Sequence, residues 1–211
     1  MSKIPPRTVE RLIVYRRLLA AEAEAGTEHL YSHELAGLAH VTPVQVRRDL
    51  MAVGYVGSPK RGYAVQELAD RIVELLEQPG GQKAVLVGIG NMGRALLAYL
   101  VGRSSNITVV AAFDNDPSKF GRVIAGCRCY DARDLSIRAR QLDVSLGIIA
   151  VPGDQAQSAA DALIEAGVNG ILNFAPVPLR VRRDVYVEQV DIMRSFEKVA
   201  HFARYKKARE V

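Results

Sequence analysis

Two short stretches of this chain hold residues whose types and spacing can do chemistry. In "VLVGIGNMG", Val85 to Gly93, three glycines stand as G-x-G-x-x-G directly after an apolar run. Gly88 permits a tight turn, Gly90 lets a pyrophosphate approach the backbone, and Gly93 allows the following helix to lie close on the strand. The helix N-terminus then faces the phosphates. Ile89, Asn91 and Met92 complete the loop as candidate cofactor contacts. The motif is answered by "AAFDNDP", which places Asp114 at the end of a second strand. A carboxylate there suits the two hydroxyls of an unmodified ribose and repels the extra phosphate of NADP. Asp116 is the weaker candidate for that role, since beside Pro117 it more often caps a helix. NAD(H) is the expected ligand, against a relic site or another adenine nucleotide such as CoA.

The second stretch is "VTPVQVRRDL", Val41 to Leu50. Thr42 is placed to cap a helix and Pro43 suits its first turn, where a missing N–H costs nothing. At 100° per residue Val46, Leu50 and Val53 point inward, Val44, Gln45 and Arg48 outward, and Arg47 to the flank. Gln and Arg side chains read adenine and guanine edges in a major groove, while Lys60 and Arg61, in the Gly-rich "GYVGSPKRGY", suit phosphates or a minor groove. The competing reading is a helical hairpin with a solvated charged face. What opposes it is the combination of a Pro-started helix, outward Gln45, Arg47 and Arg48, and a basic hairpin behind them. One such module binds weakly; two copies on a palindrome bind well, which favours a dimer.

These side chains need a frame. Arg7 to Gly26 reads as a helix opened by Pro5 and Pro6, with Val9, Leu12, Tyr15 and Leu19 as its apolar stripe and Arg17 turned away from it. Next, Ser32 is expected as an N-cap, with Leu35 and Leu38 buried and a break near His40. After the Thr42 helix a β-hairpin with its tip at Ser58 to Arg61 is expected, completing a winged helix. "QELADRIVELLEQ" adds a helix, and "PGGQK" is a linker. Beyond it the period changes: "AVLVGIG", "ITVVAAFD", "VSLGIIAVP" and "VNGILNFAP" read as strands, with helices after the first and third and a short last strand in "VYVEQVD". This alternation specifies a parallel sheet. In the tail, Phe196, Val199, Ala200 and Ala203 fall at i, i+3, i+4 and i+7. That face needs covering, by a second copy of the chain or by its own domain. The fold class is therefore α/β: a winged-helix domain over 1–78, a Rossmann-like domain over 83–191, and a dimerisation helix over 192–211.

Composition sets the outer bounds. The 211 residues are 49% hydrophobic and 24% charged, with a net charge of +5 and pI near 9.3, which permits a polyanionic partner without requiring one. The basic excess clusters at Arg47, Arg48, Lys60 and Arg61, and again at Arg204, Lys206, Lys207 and Arg209. No apolar run approaches the roughly 18 residues of a spanning helix and no signal peptide is evident, so a cytoplasmic protein without membrane contact is expected. Cys127 and Cys129 are too close for an unstrained disulfide within a strand; a two-thiol redox or metal site is the lesser alternative, with no further Cys or nearby His to complete it and no metal-ligand spacing among the His residues. A nucleotide fold raises the possibility of a dehydrogenase. Against it, the sheet and the tail helix use up everything after the linker, and no proton relay follows the sheet.

Taken in order, "KIPPRTVERLIVYRRLL", "VTPVQVRRDL", "RGYAV", "VGIGNMGRALLAY", "FDNDP", "GILNFAP" and "VEQVD" resemble the Rex family, the redox-sensing transcriptional repressors of bacteria. The resemblance covers nearly the whole chain. It implies a homodimer with an N-terminal winged helix, a C-terminal Rossmann domain and a last helix exchanged between subunits. It also implies double-stranded, palindromic operator DNA as partner, NADH and NAD+ as ligands, and release of respiratory and fermentative genes when NADH rises. Pro152 and Phe174 join the expected cofactor contacts on this basis, and Arg17, Tyr99 and Asp191 match the residues that couple the two sites. The family's wing usually reads G-x-x-G-x-x-G-x-G-Y, whereas Pro59, Lys60 and Arg61 stand here between Gly57 and Gly62.

Overall fold

The computed structural model describes residues 4–100, 102 and 106–207. Residues 1–3 and 208–211 of the two expected end segments, Arg209 among them, lie outside the described residues. The chain divides into two units, Met1–Pro79 and Gly80–Val211.

In the first unit, α1 (Pro6–Glu24) starts on Pro6, where no intrahelical N–H is needed. It buries Thr8, Leu12, Tyr15 and Leu19. The stripe thus begins one residue earlier than expected: Thr8, not Val9, faces inward, because it lies one turn before Leu12 and finds a polar partner there. Strand β1 (His29–Leu30) leads into α2 (Ser32–Leu38). Tyr31, not Ser32, occupies the cap position, and its N–H donates to Glu34 Oε2 at 2.6 Å. Leu35 is buried, but Leu38 is exposed, contrary to expectation. Helix α3 (Pro43–Ala52) has the expected cap, Thr42 Oγ1 accepting the Gln45 N–H at 3.2 Å. Val46, Leu50 and Val53 join Leu12, Leu19, Leu35, Leu68 and Ile72 in one core, the last two from α4 (Val65–Leu76).

The wing differs from the expected hairpin. Its strand β2 (Tyr63–Ala64) pairs antiparallel with β1, in the register His29 to Ala64 and Leu30 to Tyr63, rather than with the residues just before the tip. The tip is closed by a single bridge, Ser58 N–H to Gly62 O at 2.7 Å and Gly62 N–H to Ser58 O at 2.8 Å. A first arm rich in glycine has little side chain to pack and gains little from becoming a strand.

The second unit is a seven-stranded sheet in the order β5-β6-β4-β3-β7-β8-β9. Its strands are β3 (Gln82–Val87), β4 (Ile107–Asp114), β5 (Val123–Ile124), β6 (Cys127–Asp131), β7 (Leu146–Ile149), β8 (Gly170–Asn173) and β9 (Tyr186–Gln189). All neighbours are parallel except β5 against β6. One face carries α6 (Leu135–Gln141) and α7 (Gly153–Glu165), whose Leu135, Ala139, Ala156, Ala160 and Leu163 pack with Val85, Val87, Phe113 and Ile149. On the other, α5 (Asn91–Leu100) sets Leu97 against Leu86, Ala112, Cys127, Cys129 and Ile148. Beyond α5 this face lies open as an apolar groove of about 280 Å³, lined by Leu100, Val109, Leu146, Ile148, Leu172 and Tyr186. The final helix, α8 (Ile192–Lys207), leaves Met193, Phe196, Val199 and Phe202 exposed, so it is not packed on its own domain.

Candidate nucleotide crevice and nucleic-acid face

Strand β3 sits between β4 and β7, where the direction of winding reverses, and a crevice of about 450 Å³ opens at their carboxyl ends. It is lined by Gly88, Gly90, Asp114, Lys119, Val151 and Pro152, among others. Gly88 has φ +95°, and a side chain there would meet the Ala150 carbonyl oxygen at 2.5 Å. A side chain on Gly93 would strike the Gly88 carbonyl, so these two glycines serve the close turn and the close helix. At Gly90 an added Cβ would stand in open space, with nothing beyond its chain neighbours within 4 Å. Asn91 and Met92 are exposed in the first turn of α5, while Ile89 is buried beneath the loop.

Asp114 is more engaged than its position in sequence implies. Its Oδ2 accepts the Ile89 N–H at 2.7 Å and Lys119 Nζ at 2.9 Å, and its Oδ1 accepts the Asp116 N–H at 2.9 Å. Burial works against its charge, but the hydrogen bonds from Lys119, Asp116 and Ile89 outweigh it and hold the carboxyl below the usual carboxylate range. The carboxylate therefore pins the glycine loop to β4 and keeps accepting capacity on Oδ1. Asp116 caps a short 3₁₀ turn by accepting the Ser118 N–H at 3.0 Å, as its neighbour Pro117 leads one to expect. Lys119 was missed by sequence reasoning; a lysine five residues after a strand-end aspartate was the available signal. Phe174 does not line the crevice. It packs half-buried on the α5 face, its N–H on the Ile149 carbonyl at 2.8 Å.

Tyr99 lies exposed on α5, and Asp191 is the N-cap of α8, its Oδ1 accepting the Arg194 N–H at 2.8 Å. Arg17 is exposed on α1 in the other unit. Cys127 and Cys129 are free and buried in β6; burial pushes the Cys127 thiol up to about 11, which makes it a poor nucleophile. Among the described residues no group of three or more His, Cys, Asp or Glu is placed to hold a metal, and no helix is long and apolar enough to cross a membrane.

In the first unit α3 turns Val44, Arg47 and Arg48 outward, whereas Gln45, expected outward with them, is half-buried because its amide is drawn in to Asp49 at 2.9 Å. Arg47 Nη1 donates to Ser32 Oγ at 2.9 Å, which ties it to α2, whereas no hydrogen bond or ion pair engages Arg48 among the described residues. In the wing, Tyr31 Oη donates to the Lys60 carbonyl at 2.7 Å and so fixes the tip that carries Lys60 and Arg61, both exposed. The inward face of α3 carries a residue that sequence reasoning missed. Asp49, only 2% exposed, accepts from Arg11 Nε at 2.6 Å, Arg11 Nη2 at 2.8 Å, Tyr15 Oη at 3.0 Å and Gln45 Nε2 at 2.9 Å. Burial opposes its charge, yet the bonds from Arg11, Gln45 and Tyr15 hold its carboxyl below the usual range. The signal was its spacing: Val46, Asp49, Leu50 and Val53 form one inward stripe.

An outward-reading helix with a basic wing in one unit, and a doubly wound sheet with an open glycine cradle in the other, define a class: a DNA-binding module joined to a Rossmann-type nucleotide domain. The family model described as "CoA binding domain" matches residues 81–177, and that described as "Putative DNA-binding protein N-terminus" matches residues 3–50. The redox-sensing transcriptional repressor Rex of Lactobacillus acidophilus is 36% identical over 200 residues, covering 95% of each chain. RSP, solved in complex with β-NAD+ and operator DNA, matches with a TM-score of 0.91 at 28% identity, covering 100% of this chain and 97% of that one. RSP in complex with β-NADH matches with a TM-score of 0.86 at 28% identity, covering 100% and 99%. The chain belongs to the Rex family.

Proposed function

We propose that this protein is a redox-sensing transcriptional repressor. It binds a palindromic operator as a homodimer, releases it when NADH binds, and so ties respiratory and fermentative genes in the cytoplasm to the NADH/NAD+ ratio. The observation that carries the reading is Gly90: a phosphate cradle left open by its own fold, in a chain whose other unit turns Val44 and Arg48 outward from α3. The complexes of RSP with NAD+, operator DNA and NADH support the same pairing. In the crevice the backbone of Gly88 to Gly93 takes the pyrophosphate, Asp114 Oδ1 accepts from the ribose, and Pro152 borders the bound nucleotide. Asp114 and Asp116 both engage Lys119, at 2.9 and 3.7 Å, which occupies that cation at the ribose end of the site.

NAD+ and NADH share every group except the nicotinamide ring, cationic and planar in one and neutral and puckered in the other. A ligand shifts an equilibrium only by its differential affinity for the two states, so the response rests on that ring. Arg17, Tyr99 and Asp191 transmit it. Two apolar surfaces support the homodimer, the exposed side of α8 and the groove on the sheet, which a second copy would cover reciprocally. On α3, Gln45 and Arg48 meet base edges, Val44 an apolar base edge, and Thr42 and Arg47 the backbone, while Lys60 and Arg61 meet phosphate or the minor groove.

The test is operator binding by fluorescence anisotropy, titrated with each nucleotide. NADH is expected to release the DNA at concentrations where NAD+ leaves it bound, with no NADH consumed during the titration. Equal binding under saturation by either form contradicts the reading, and steady oxidation of NADH with a small oxo-acid or aldehyde points to a dehydrogenase instead.

A further inference from the structure

A glutamine on a recognition helix reads bases two ways. Its amide presents a carbonyl to adenine N6 or cytosine N4, or, turned over, an NH2 group to guanine O6 or thymine O4. In this chain the choice is already made inside the protein. Gln45 Nε2 lies 2.9 Å from Asp49 Oδ1, and an ionised carboxylate only accepts, so nitrogen and not oxygen must face it. Turning the amide over would set two acceptor oxygens against each other at that distance. Asp49 cannot move to relieve the clash, because Arg11 grips both its oxygens and Tyr15 adds a third bond in a site closed to water.

We propose that Asp49 is a positioning residue that biases how Gln45 reads: with one Nε2 hydrogen held by Asp49, Oε1 is the free acceptor offered to the groove, and it favours a base with an exocyclic amine on its major-groove edge. Adenine and cytosine are favoured at that position over guanine and thymine, which only the second Nε2 hydrogen can reach. This rests on the DNA-binding reading of α3 and adds to it which half of the base alphabet Gln45 favours and what sets that choice.

The experiment begins by selecting a preferred duplex from a random pool with the full-length protein, then measuring binding to every single base-pair replacement at fixed salt. Gln45→Ala identifies the base pair that Gln45 reads. There the wild-type protein is expected to favour the amine-bearing base by about tenfold, the scale of one good base contact. In Asp49→Asn the new amide both donates and accepts, Gln45 is free to turn, and that preference narrows to about twofold while preferences elsewhere persist. An Asp49→Asn protein that keeps the full preference overturns the proposal, as does one that loses preference at all positions alike, the mark of a merely structural role. Should Asp49→Asn lack a cooperative melt, the wild-type series decides: at the base pair that Gln45→Ala identifies, guanine or thymine bound as tightly as adenine or cytosine overturns the idea. Selection of no duplex at all would instead sink the DNA-binding reading itself.

Discussion

Gly90 separates what the fold needs from what a ligand needs. Gly88 and Gly93 are required by the protein itself, the first by its φ and by Ala150, the second by the carbonyl of Gly88. At Gly90 an added methyl meets nothing, so Gly90→Ala is expected to melt as the wild type does and to hold operator DNA normally. On the proposed placement of the pyrophosphate its methyl crowds the ligand, at a cost of about 1–3 kcal/mol, or about 5- to 150-fold in NADH affinity. Calorimetric titration reads this directly, and a variant that binds NADH as tightly as the wild type places the phosphates elsewhere. The three glycines were legible in the sequence because each answers a local demand. Asp49 was not, because a charged residue beside two arginines reads as solvated surface. Only when α1 brings Arg11 and Tyr15 across does its place in the inward stripe become an anchor.

At the scale of elements, legibility followed length and period. Helices α1, α4 and α7 and strands β3 and β4 repeat their pattern often enough to be read. Helix α6 and strands β5 and β6 were not foreseen: seven, two and five residues give periodicity too few repeats, and α6 exposes Ile137 in the middle of its run. The wing was misread because Pro59 and its flanking glycines signal a turn without saying which strand the return arm joins. It joins β1, thirty-odd residues away in sequence, a pairing that no local rule announces. Helix α8 is the opposite case, an apolar period plain in sequence that no described residue of its own unit covers. Of its exposed residues Phe196 and Phe202 are the largest apolar groups, and burying an aromatic of this size is worth about 1.5–3 kcal/mol per copy. Phe196→Asp is therefore expected to leave the melting of the first unit unchanged but to shift the protein to monomer in sedimentation at micromolar concentration. Operator affinity should fall with it, since one module then binds alone. A variant that stays dimeric would mean that α8 is not the element joining the subunits.

For the whole molecule the question is whether two sites on separate units share one free energy. If NADH weakens operator binding by some factor, operator must weaken NADH binding by the same factor, because the cycle closes. Measuring the NADH dissociation constant with and without a saturating duplex, and the duplex constant with and without NADH, gives that factor twice; unequal values would mean that the species compared are not the same dimer. Asp191 is where the factor is most open to test. Replacement by alanine would confuse two effects, because Asp191 also caps α8 through the Arg194 N–H, and losing such a cap costs about 1 kcal/mol. Asn caps as well as Asp, so Asp191→Asn removes the charge and keeps the helix. Its expected behaviour is a normal dimer that binds NADH and binds operator, yet binds each almost indifferently to the other, the coupling factor having dropped toward one. A factor equal to that of the wild type would show that the charge of Asp191 carries none of the signal, and the link between nucleotide and DNA would then have to run through other groups, Arg17 and Tyr99 first among them.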